Sequence, residues 1–92
     1  MIYPTQDPKY GIKDNRLCVM ATGEFIPEDE PVFMIRAQDN HGEFAINNYG
    51  MMCEKQEHAE IVYSRADEFK KFKEQYPERM KEPDTEPPPN NL

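Results

Sequence analysis

Arg36, Gln38 and Asp39 stand together where the apolar run Val32-Phe33-Met34-Ile35 breaks into polar groups, directly ahead of Asn40-His41-Gly42-Glu43. These residue types suit the recognition of a small anion. Arginine offers a planar fork for phosphate or carboxylate, while an amide and a carboxylate meet base edges and ribose hydroxyls. A helix opening at Asn40 and His41 adds free backbone amides to such a site, provided the Asp39 carboxylate does not occupy them first. Phe33, Tyr10 and Tyr49 supply aromatic faces for a base, and Asn47 supplies a further amide. A structural alternative pairs Arg36 with Asp39 or with a carboxylate of a later helix, fixing the corner, and leaves Asn47 and Asn48 on a solvated surface.

Other chemistries lack their residue patterns. His41, Cys53 and His58 have no second cysteine nearby and no paired ligand spacing, so neither a metal nor another cofactor is expected. The acidic run Glu28-Asp29-Glu30 is accompanied by no glycine-rich phosphate loop, nucleophile elbow or His-Glu helix motif. With no nucleophile and base in view, the expected protein is not an enzyme. Cys18 and Cys53 lie in apolar surroundings and read as reduced, buried thiols, a disulfide between them being the alternative.

The elements that must position these groups follow from hydrophobic period and turn chemistry. Residues 1–15, with Pro4, Pro8 and Gly11, show no sustained period and read as an extended arm. Arg16 to Met20 reads as a short strand, extended structure resumes at Glu24-Phe25-Ile26, and Pro27 to Pro31 makes a turn. Val32 to Ala37 is the strongest strand by composition, so a β-hairpin is expected with the acidic turn at its tip. Asn40 with Glu43 has the form of a capping box at the start of a first helix. In that helix Ala45, Ile46, Tyr49, Met52 and Cys53 share a face, and Gly50 either permits close packing or marks a kink. A second helix from about Glu57 to Tyr76 carries Ala59, Val62, Ala66, Phe69, Phe72 and Tyr76 as its apolar stripe, and Pro77 ends it. Because Glu54-Lys55-Gln56 contains neither glycine nor proline, a single bent helix is the alternative. Residues 16–82 thus read as one α+β domain, a β-hairpin packed against two helices, and residues 83–92 as a disordered, acidic, proline-rich tail.

Ninety-two residues form a thin core, since domains this small bury only about 60% of their unfolded surface and often gain stability from association. A homo-oligomer is therefore expected, with Ile61 and Tyr63 among the apolar residues in surplus. Eighteen acidic against eleven basic residues give a formal charge of −7, which disfavours direct binding of DNA or RNA. The first residues have neither a basic nor an apolar leader segment, and no apolar run approaches the roughly 18 residues of a membrane span. The expected location is a cytoplasm, without membrane attachment.

The segment Glu30-Pro31-Val32-Phe33-Met34-Ile35-Arg36-Ala37-Gln38-Asp39, followed by two helices, resembles a set of small, mostly uncharacterised bacteriophage proteins. They share Glu-Pro-Val-Phe, two apolar residues and Arg-Ala-Gln-Asp. The likeness spans roughly residues 28–84 and is tight over the motif alone. This chain departs from it in its N-terminal arm and in a first helix rich in asparagine and methionine. The resemblance implies phage origin, action in the host cytoplasm and a role in blocking host defence. Two routes fit such a role: sequestration of a small anionic signal such as a nucleotide at the Arg36 corner, or occlusion of a host enzyme or nucleic-acid-binding protein by an acidic interaction protein. The first is the leading expectation.

Overall fold

A computed structural model describes residues 1–83, and the expected tail, residues 83–92, lies outside them except for Pro83. The fold is α+β, the class expected, with a three-stranded antiparallel sheet and two helices. The chain divides into two compact units, Met1–Phe33 and Met34–Leu92.

The first unit holds the sheet, whose strands are β1 (Tyr3–Pro4), β2 (Tyr10–Lys13) and β3 (Arg16–Val19), in that spatial order. Residues 1–15 are therefore not an arm, because most of the sheet lies within them. The reason is the turn Asp14-Asn15, with φ of 52° and 61°. Two residues at positive φ make the tight reversal whose twist matches paired strands, and Asp and Asn tolerate it better than most. Lys13 thereby pairs with Arg16, Gly11 with Cys18 and Tyr10 with Val19. Gly11 also pairs with Pro4. It is buried, and a side chain there would collide with Met20, Ile2 and the Tyr3 carbonyl.

The expected hairpin between residues 16–26 and 32–37 does not form. Val32 to Ala37 joins no ladder, and Val32, Phe33 and Met34 are exposed. The edge of β3 such a strand needs is already taken: Val19 N–H donates to the Glu24 carbonyl at 2.8 Å and Ile26 N–H to the Leu17 carbonyl at 3.0 Å. Extended structure does resume there, as the bridge between Cys18 and Phe25. The Phe25 ring lies under both hairpin cations, with Lys13 Nζ 4.7 Å and the Arg16 guanidinium 4.2 Å from its centre. Pro27 to Glu30 is a turn, closed by a Glu30 N–H bond to the Pro27 carbonyl at 3.1 Å, but it is no hairpin tip.

In the second unit α1 (Gly42–Met52) and α2 (Gln56–Gln75) are separate helices, broken at Cys53 and Lys55, whose backbones are extended. The short 3₁₀ helix Pro77–Arg79 follows. Gly42, Ile46 and Gly50 recur at four-residue spacing, which stacks them on one line of α1. That line faces α2: a side chain on Gly42 would come within 3.0 Å of the Phe69 ring. The expected apolar face of α1 is thus corrected. Ile46 and Cys53 are half-buried, but Ala45, Tyr49 and Met52 are exposed. On α2 the expected stripe holds, with Ala66 buried and Ala59, Val62, Phe69 and Phe72 half-buried. At its end the Phe72 and Tyr76 rings lie 5.2 Å apart, with the Arg79 guanidinium 4.7 and 4.8 Å from their centres. Lys71 pairs with Asp67 at 3.0 Å, and that hydrogen bond with its charge raises the lysine pKa above its ordinary value.

Among the described residues only Cys18 and Ala66 are fully buried apolar side chains. Cys53 is a free thiol like Cys18 but only half-buried, a second correction. So thin a core leaves large apolar side chains on the surface, Phe33, Phe44, Met51 and Met52 among them.

Candidate functional site

The corner ahead of α1 is built by backbone. Asn40 N–H donates to the Lys81 carbonyl at 2.8 Å and Lys81 N–H to the Gln38 carbonyl at 2.9 Å, tying the chain after α2 to the chain before α1. Asp39 N–H donates to the Arg36 carbonyl at 3.0 Å. The Asp39 carboxylate accepts the His41 N–H at 2.7 Å, and the Asp39 carbonyl accepts the Gly42 N–H at 3.0 Å. This replaces the expected capping box: His41 is the N-cap and makes no side-chain cap bond, and Asp39, two residues earlier, satisfies its amide. The His41 ring is 2.8 Å from the Glu82 carboxylate.

The proviso attached to an anion site therefore operates. Asp39 holds one helix-start amide and Glu82 adds a carboxylate at the same corner, so a phosphate seated on that amide has to displace the Asp39 carboxylate. Arg36 is exposed and has no ion pair among the described residues, so the structural alternative for it is not what the geometry shows. Gln38 and Asp39 are half-buried, and Asn40 and His41 are exposed. Tyr10, half-buried in β2, and Phe33, exposed, belong to the first unit, while Arg36, Asn47 and Tyr49 belong to the second.

Asn47 is half-buried and lines an open groove of about 220 Å³ with Glu43, Tyr63, Ala66, Asp67 and Lys70. That is below the roughly 300–1,000 Å³ of ordinary ligand pockets, and half of its lining residues are charged. Among the described residues no group of three or more His, Cys, Asp or Glu side chains gathers to hold a metal ion. No helix among them is long and apolar enough to cross a membrane.

The surface that sequence reasoning missed is the outward side of α1. Because Gly42, Ile46 and Gly50 turn toward α2, the opposite side of the helix carries Phe44, Asn48 and Met51, flanked by Met52. Phe44, Met51 and Met52 are 71, 73 and 80 % exposed. The legible signal was the glycine spacing itself, since small residues at four-residue intervals mark the side where another backbone approaches.

No protein-family model, no curated protein and no solved structure matches this chain.

Proposed function

We propose that this protein is a non-enzymatic interaction module that lays the outward face of α1 into an apolar groove on a partner protein and blocks that groove. The observation that carries the reading is the orientation of α1, which spends its small residues on α2 and presents Phe44, Met51 and Met52 to solvent. Phe44 and Met51 hold the i and i+7 positions of a groove-docking helix, with the polar Asn48 between them. Methionine adapts to irregular pockets, and an aromatic anchor concentrates binding energy. Glu43 opens the helix and Glu54 follows it, and the whole chain carries −7, so a groove with a basic rim is the complementary partner. The resemblance of the Glu30–Asp39 motif to small phage proteins supports a bacterial host protein as the partner, occluded to the benefit of a phage.

Capture from bacterial lysate with a photo-crosslinker at Asn48 tests the reading, with a crosslinker at Glu68 as control. One stoichiometric partner should be joined at Asn48 and not at Glu68. Phe44→Ser and Met51→Ser should abolish the product while leaving helical circular dichroism unchanged. Equal capture by wild type and both variants, or crosslinking at Asn48 only to a second copy of the chain, overturns it.

A further inference from the structure

We propose that the segment Glu30 to Arg36 binds the same segment of a second copy, forming an antiparallel two-stranded ribbon centred on Phe33. It is a surface distinct from the α1 face and does not depend on the role given to that face. Val32, Phe33, Met34 and Ile35 form the strongest strand-forming run in the chain, yet it pairs with nothing. Val32, Phe33 and Met34 are 54, 83 and 76 % exposed. Among the described residues no hydrogen bond engages the backbone of Pro31 to Ile35. A run of strand-forming residues with free amides and carbonyls is a template for pairing with another chain.

The sequence of the segment names the occupant, because it is complementary to itself when reversed. With Phe33 opposite Phe33, Val32 faces Met34, Pro31 faces Ile35 and Glu30 faces Arg36, and each of these pairs occurs twice. Neither Glu30 nor Arg36 has an ion pair among the described residues of its own chain. A parallel pairing in register sets glutamate against glutamate and arginine against arginine, which is repulsive. A two-residue slip that brings Glu28 opposite Arg36 competes with Arg16, which lies 3.7 Å from Glu28.

Hydrogen bonding agrees with the same register. Directly opposed residues in an antiparallel pair alternate between exchanging both backbone bonds and exchanging none. If Val32 and Met34 exchange bonds, Pro31, Phe33 and Ile35 fall at the positions that exchange none. Proline, which has no N–H to give, then sits where none is needed. The two Phe33 rings meet at the closer type of pair, where aromatic side chains contribute most. The Glu30 N–H, already bonded to Pro27, and the Arg36 carbonyl, already bonded to Asp39, lie at the ends of the ribbon and stay as they are.

Such a ribbon is a small interface, so dissociation in the micromolar range is expected and the mass of the full chain should be read across that range. Sedimentation should show a monomer–dimer equilibrium. Glu30→Arg and Arg36→Glu should each raise the dissociation constant roughly tenfold at low salt, since every reversal replaces two attractions by two repulsions. The double swap E30R/R36E should restore it, which a merely structural role for either residue would not. Phe33→Cys in a Cys53→Ser background should form a disulfide-linked dimer under mild oxidation, while Ser64→Cys in the same background should not. A wild type that remains monomeric at hundreds of micromolar, a dimer indifferent to both charge reversals, or a double swap as weak as the single variants overturns the proposal.

Discussion

Gly50 lies against the ring of Tyr63, so closely that a Cβ placed on the glycine would come within 2.6 Å of it. The contact sets the separation of α1 and α2 at that point. Glycine inside a helix costs about 1 kcal/mol relative to alanine, and here the cost is offset by the approach it allows. Gly50→Leu should therefore destabilise the chain by about 1–3 kcal/mol in urea unfolding, as overpacking does. In a Tyr63→Ala background the same change should cost much less, because the ring is what the new side chain strikes. Equal losses in both backgrounds would show that the two residues are not coupled.

What the sequence made legible depended on whether a pattern was self-sufficient. The α2 stripe from Ala59 to Phe72 was readable because many turns repeat one period, and Pro77 marked its end. Val32 to Ala37 has strand composition without forming a strand, because composition describes a residue's preference and not the presence of a partner strand. The pairing instead went to β2 and β3, whose signal was the Asp14-Asn15 dipeptide between two short apolar stretches, easily lost among prolines. On α1 the large apolar residues are spread over several faces, so their period does not show the buried side, which Gly42 and Gly50 decide. At the polar corner ahead of α1 the sequence shows Arg36 to His41 but not Glu82, which is distant along the chain and brought in by the Lys81 bonds.

Those Lys81 bonds make a prediction about the C-terminal boundary. Lys81 both accepts from Asn40 and donates to Gln38, and Glu82 meets the His41 ring at 2.8 Å. A chain ended after Pro83 keeps all three contacts and should melt within a few degrees of the full chain. One ended after Met80 loses both backbone bonds and should be destabilised by about 1–3 kcal/mol. If the two truncations melt alike, the Lys81 bridge contributes nothing to holding the corner.

Arg36 separates the two routes by which a small acidic protein of this kind can act. Its side chain is exposed and unpaired among the described residues, so Arg36→Ala should leave thermal stability within about 0.5 kcal/mol of wild type, as surface changes generally do. If the corner captured a phosphorylated ligand, loss of that guanidinium would weaken binding by about 2 kcal/mol or more, and lysine would replace it poorly. The corner geometry argues for another outcome. Asp39 already accepts the His41 amide, and Glu82 stands on the His41 ring. Native mass spectrometry against cyclic and ADP-ribose-type nucleotides should therefore show no retained nucleotide with wild type or with Arg36→Ala. Stoichiometric retention of one unchanged nucleotide by wild type, lost in Arg36→Ala and in Arg36→Lys, would move the function from the α1 face to this corner.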